Sequence, residues 1–265
     1  MYACLRLDLS DSDASFVDDI QDKSLTKRAF RQAAKEELDR MHNETGKNLR
    51  DIVTNGLIDG SQAQERWFPQ KGRDVFISHS HRDVELAEGL AIWLWAHFGV
   101  TSFIDSQVWG HYEDLLQQVD NLYCYNSSRE TYKYELRNLS TSHVHAILTN
   151  AILNVMDNAE CVLFLNTDNA IRPAKDTVSG HGTASPWIYT ELEAARLLRR
   201  KPRHRPILEK SARMDSMGMM THPVQLDHLD PLLIKDLRIV SAICPPGDKV
   251  AFLDALYDRA AHNRM

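Results

Sequence analysis

The chain has 265 residues, 43% of them hydrophobic and 26% charged. That balance excludes a disordered or low-complexity protein and suits one large domain, or one domain with a smaller extension. A formal charge of −6 gives no general attraction to nucleic acid or to an anionic membrane.

The opening residues, MYACLRLDLSDSD, lack the basic start and long apolar run of a secretory signal. The stretch SLTKRAFRQAAKEELDRMHNETGKNLRDIV is charged, with apolar residues at helical spacing, and Gly56 and Gly60 then break the pattern. Residues 1–70 are therefore expected to form a helical N-terminal extension that packs on the main domain or on a partner.

From Asp74 onward the pattern alternates. DVFISH (Asp74 to His79) reads as a buried strand, and Asp83 as the cap of a helix through VELAEGLAIWLWAHF that ends near Gly99. That helix is the most apolar segment, yet it contains Glu88 and His97 and is too short to span a bilayer. VTSFID (Val100 to Asp105) reads as a second strand, HAILTNAILNVMDNA as a helix and CVLFLN (Cys161 to Asn166) as a third strand. Ser185 and Pro186 suit the cap and first position of a helix through WIYTELEAARLLRRK. RPIL and RIVSAI are candidate later strands, and GDKVAFLDALYDRAA a closing helix. Such alternation predicts an α/β fold, a parallel sheet with helices on both faces, over about residues 72–260. Residues 113–142 look like an insertion, and residues 168–184, with Gly180 and Gly182, like a long polar loop. The cysteines (Cys4, Cys124, Cys161, Cys244) are scattered without a CxxC pair, which argues against a disulfide framework or zinc ribbon and fits a reducing cytosol. A cytoplasmic protein is expected.

In order, DVFISHSHRD, FIDSQVWGHYEDLL, AILNVMDNAECVLFLN and SPWIYTELEAARLL resemble the Toll/interleukin-1 receptor (TIR) domain, and within it the NAD-cleaving members. The resemblance covers roughly residues 72–260 and implies a flavodoxin-like doubly wound sheet. Ligands bind such sheets beyond the strand carboxyl ends, where strand order reverses. That crevice is expected between the loop from Ser78 to Asp83 and the segment from Asn166 onward. A short extension plus a TIR domain looks like a stand-alone bacterial protein, similar to the TIR component of Thoeris-type antiphage systems. The resemblance thus implies NAD as substrate, self-association through the TIR domain, and a separate effector that the product activates.

Trp187-Ile-Tyr-Thr-Glu191 matches the W-x-x-x-E pattern of TIR NADases. Positions four apart share a helix face, so indole and carboxylate are expected to point into one cleft. The nicotinamide of NAD is already cationic and leaves as a neutral base. One carboxylate can therefore suffice where an ordinary glycosidase needs two. Glu191 would hold the ribose hydroxyls and stabilise an oxocarbenium-like transition state, and an aromatic face can hold the cationic ring. The bland alternative is a core tryptophan and a solvated helix glutamate.

The resemblance places SQVWGHY at the TIR BB loop, with Asp105, which ends the second strand, as a candidate substrate-binding residue and Tyr112 and also Trp109 as candidate pocket aromatics; plain loop packing is the alternative for the two aromatics. Ser78, His79 and Ser80 can offer hydroxyls and backbone amides to phosphate or ribose, or simply cap a helix. His79-Ser-His81-Arg-Asp83 also resembles the HxHxD start of metallo-hydrolases, with His143 and His145 as a second pair, but Val84 stands where another histidine is wanted. The basic run Arg196, Arg199, Arg200, Lys201, Arg203, Arg205 suits a helix C-terminus or an acidic partner. The leading expectation is an NAD glycohydrolase or ADP-ribosyl cyclase with no metal and no bound cofactor. A non-enzymatic TIR adaptor is the alternative, and a metallo-hydrolase the second.

Overall fold

A computed structural model of the chain describes residues 2–9, 49–68, 72–104, 109–173, 181–198, 222–223 and 225–264, and the helical positions Arg28 and Gln32. The central sheet has five strands: β1 (Ala3–Asp8), β2 (Val75–Ser78), β3 (Ser102–Ile104), β4 (Cys161–Asn166) and β5 (Asp230–Leu233). Their spatial order is β5-β1-β4-β2-β3, with every pairing parallel. The described residues also form seven α-helices: α1 (Gly60–Trp67), α2 (Val84–Phe98), α3 (Trp109–Val119), α4 (Tyr134–Asn158), α5 (Pro186–Leu197), α6 (Ile234–Ile243) and α7 (Lys249–Asn263).

Side-chain alternation along the strands divides the core in two. Phe76, Val162 and Phe164 face one layer with Trp67 of α1, Leu115 of α3, Leu148 of α4 and Leu192 of α5. Val75, Ile77, Leu163 and Leu165 face the other, with Leu90 of α2, Leu237 of α6 and Phe252 of α7. A parallel sheet buried on both faces needs near-continuous apolar strands, as VFIS and CVLFL are. Helix α2 ends at Gly99, whose φ of 68° lets its amide reach back to the Leu94 and Trp95 carbonyls.

The opening segment corrects the expected domain boundary. Residues 3–8 are not part of a helical appendage; they form an interior strand of the sheet, hydrogen-bonded to β4 on one side and β5 on the other. Cys4, Leu5 and Leu7 are buried, and this ACLRLD run is too short for its alternation to stand out from the polar residues after it. The expected helix also stops early. Leu49–Ile52 is a 3₁₀ turn, and Val53–Thr54 and Leu57–Ile58 form a hairpin whose Asn55-Gly56 corner has positive φ at both residues. The rest of that helix lies outside the described residues.

Three further expectations change. RIVSAI lies within α6, and the strand is the preceding DPLL; Val240 continues the buried helix face of Leu237, while Ile239 and Ile243 are exposed. RPIL lies outside the described residues. The segment 113–142, expected to be an insertion, has regular structure of its own. It comprises most of α3, a π-helical turn (Asp120–Cys124), a hairpin (Tyr125–Asn126 with Thr131–Tyr132) and the first turns of α4. Tyr112 is accordingly helical rather than part of a BB-type loop. Of residues 168–184, Arg172–Pro173 and His181–Thr183 pair in a small antiparallel sheet with His222–Pro223.

Candidate functional site

Strand β2 leads through α2 to β3 on one side, and the chain then returns through α4 to β4 on the other side of β2. Helices α2 and α4 lie on opposite faces. The strand order therefore reverses between β2 and β4, and their carboxyl ends, Ser78 and Asn166, flank the crevice where doubly wound sheets hold ligands. The two loops beyond are tied together. Asp83 accepts hydrogen bonds from Thr167 Oγ1 at 2.5 Å and Asn169 Nδ2 at 2.7 Å. Asp83 does stand at the α2 cap position, but its carboxylate makes no capping bond.

Helix α5 brings Glu191 to this point. Ser185 caps the helix by accepting from the Ile188 amide, and Pro186 occupies its first turn. Glu191, only 2% exposed, accepts a 2.5 Å hydrogen bond from the Ser78 hydroxyl. The bond offsets part of the cost of burying a carboxyl group. His79 is also buried, its Nδ1 facing the Ile77 carbonyl at 3.3 Å, which makes that nitrogen the protonated one. Ser80 caps the short turn His81–Asp83 through the Arg82 amide.

One turn before Glu191, Trp187 joins an aromatic trio drawn from three helices. Its ring lies 5.4 Å from His145 of α4 and 6.3 Å from Tyr112 of α3, and Tyr112 and His145 lie 5.2 Å apart. Tyr112 is buried, and burial, with Asp120 and Glu113 nearby, pushes its hydroxyl up to about 12. Partial burial holds His145 below the usual histidine range. The neutral ring is thus the favoured partner for the indole.

Ser78 and Glu191 therefore meet at one end of the sheet, and Trp187 and Tyr112 meet in the adjoining helix layer. Asp105 lies outside the described residues. Trp109 begins α3, and only its backbone is described. His145 is the member that sequence reasoning placed elsewhere, with His143 in a metal-binding pair. Nothing local ties it to Tyr112 and Trp187, because the three come from separate helices. The HxHxD residues do not gather: His79 is buried, His81 is exposed and Asp83 is engaged across the crevice. Among the described residues, no group of three or more His, Cys, Asp or Glu is arranged to hold a metal ion. Arg196 pairs with Glu193 at 2.6 Å, and the rest of the basic run lies outside the described residues. No helix among the described residues is long and apolar enough to cross a membrane.

This is an α/β protein with a five-stranded parallel sheet, compatible with a flavodoxin-like arrangement. Comparison with models of protein families, with curated proteins and with solved structures finds no match.

Proposed function

We propose that the chain is an NAD-cleaving enzyme of the TIR type, an NAD glycohydrolase or ADP-ribosyl cyclase, with Glu191 as its catalytic carboxylate. The observation that carries this reading is the buried Glu191–Ser78 pair at the point where strand order reverses. An ionised carboxylate there, poorly screened by water, would act strongly on a positive charge developing at the ribose. In the reaction the C1′–nitrogen bond breaks and nicotinamide departs with the electron pair as a neutral base. Water, or a nitrogen of the adenine ring, then captures C1′ and loses a proton. Trp187 would present its face to the cationic nicotinamide, with Tyr112 and His145 bracing the indole. A signalling nucleotide for a separate effector in antiphage defence, self-association through the domain and a cytoplasmic setting belong to the same reading.

One observation favours a second reading, a TIR-type adaptor that assembles without catalysis. A carboxylate with 2% exposure and a serine partner also serves as a structural tie. The test is incubation of concentrated protein with NAD, following nicotinamide by chromatography beside Glu191→Gln. Release by wild type alone supports the enzyme. No release from either, with crowding agent added, favours the adaptor. Equal release from both removes Glu191 from the chemistry.

A further inference from the structure

The segment that links α3 to α4 has an unusual surface. Between Leu122 and Leu139 it and the first turns of α4 expose large apolar side chains in close succession, among them Tyr125, Tyr132, Tyr134 (75% exposed), Leu136 and Leu139 (56%). A soluble chain tolerates single exposed apolar residues, whereas a concentration of them marks an interaction surface. Tyrosine is also the side chain that interfaces favour, because it covers much area with few rotatable bonds. The Tyr125 and Tyr132 rings meet edge-on at 5.3 Å, and the Arg137 guanidinium lies 5.5 Å over Tyr132.

Beside these tyrosines lies a cavity of about 560 Å³, lined by Glu113, Asp114, Gln117, Asp120, Tyr132 and Arg137. None of Ser78, Trp187 or Glu191 lines it. Its charges do not cancel. Arg137 is committed to Asp120, at 2.8 Å, and Ser140 donates to the same carboxylate. Asp114 accepts from Trp67 Nε1 at 2.9 Å and from the Gln118 amide, both neutral donors. Glu113 is exposed. Among the described residues that line it, three carboxylates against one guanidinium leave the cavity anionic.

We infer that this surface docks a protein segment carrying a lysine or arginine flanked by apolar residues. The cation enters the cavity towards Glu113 and Asp114, and its neighbours cover Tyr125 and Tyr132. Charge selects this occupant. A second copy brings the same acidic cavity and the same net charge of −6, which disfavours self-pairing here. The inference does not depend on NAD cleavage.

Random dodecapeptides displayed on phage, selected on the immobilised full chain, provide the test. Enriched sequences are then synthesised and their Kd measured by fluorescence anisotropy. They should carry Lys or Arg beside Leu, Ile, Phe or Trp, and should bind more weakly as salt is raised. Glu113→Lys and the double variant Tyr125→Ser/Tyr134→Ser alter exposed positions only, and each should weaken binding about tenfold or more with an unchanged circular dichroism spectrum. No enrichment, enriched peptides without a basic residue, or affinity unmoved by both variants would overturn the inference. So would a concentration-dependent dimer in sedimentation velocity that the double tyrosine variant abolishes, since the surface would then belong to a second copy.

Discussion

Ser78 and Glu191 stand 113 positions apart in the chain, and their side chains meet at 2.5 Å inside the protein. The pair joins the end of β2 to the middle of α5, so it fixes how that helix sits over the sheet. Ser78→Ala leaves the buried carboxylate short of a donor. It should cost about 1–3 kcal/mol in urea unfolding and lower the rate of nicotinamide release. Ser78→Thr, which keeps the hydroxyl, should recover part of both. Full stability in Ser78→Ala would show that the hydroxyl is not what holds Glu191.

Trp187 rests on two rings, and each edge-to-face contact is worth about 0.5–1.5 kcal/mol beyond area burial. Trp187→Ala should therefore destabilise the chain by about 2 kcal/mol or more. Trp187→Phe, still aromatic, should lose less. If the indole also holds nicotinamide, KM for NAD rises in both variants while the fold of Trp187→Phe stays intact. An unchanged KM in Trp187→Phe would confine the residue to packing.

The Tyr112 hydroxyl, pushed up to about 12 from an ordinary 10, links stability to alkaline pH. A raised folded-state value means that the native state holds the proton more tightly than the unfolded chain. The contribution is complete below pH 10 and is lost as pH rises towards about 12. Ultraviolet titration should show late-ionising tyrosines, of which Tyr112→Phe removes one and leaves buried Tyr257, which is pushed up further, and that variant should be less sensitive to pH over the same window.

Acid should act through Asp236. The side chain is wholly buried, which by itself would raise its carboxyl. Hydrogen bonds from Arg259, the Leu233 amide and Asn263, with the charge of Arg259, outweigh burial and hold it below 3.8. A depressed carboxylate stabilises the fold above its ordinary value, and that contribution is lost as pH falls through the folded-state one. Asp236→Asn should cost about 3 kcal/mol at neutral pH and flatten the loss of stability below pH 4, as read from urea melts at pH 7 and pH 3.

Much of the sheet was legible because its strands are apolar runs bounded by turn residues. DVFISH, VTSFID and CVLFLN each contain the strand found. Ser185 and Pro186 marked the start of α5 through local capping chemistry. What escaped depends on distant partners. ACLRLD carries too few residues to declare itself a strand until β4 and β5 lie beside it. RIVSAI has β-forming composition, but Val240 falls one helical turn after Leu237, and these two pack α6 against the α7 layer while Ile239 and Ile243 are exposed. Within the site, the Trp187–Glu191 spacing was visible in the sequence. The Ser78 contact and the His145 brace required three-dimensional closure.

The sheet order also sets the timing of assembly. β1 is the earliest sheet strand in the chain, yet its neighbours are β4, more than 150 residues later, and β5, later still. As the ribosome releases the chain, ACLRLD waits with both edges unpaired until residues 161–166 have emerged, and with one edge unpaired until residues 230–233 follow. Until then Leu5 and Leu7 present sticky apolar surface, so synthesis carries an aggregation risk that the finished molecule does not. The interval also keeps the sheet that supports Glu191 incomplete until after α5 itself has been made.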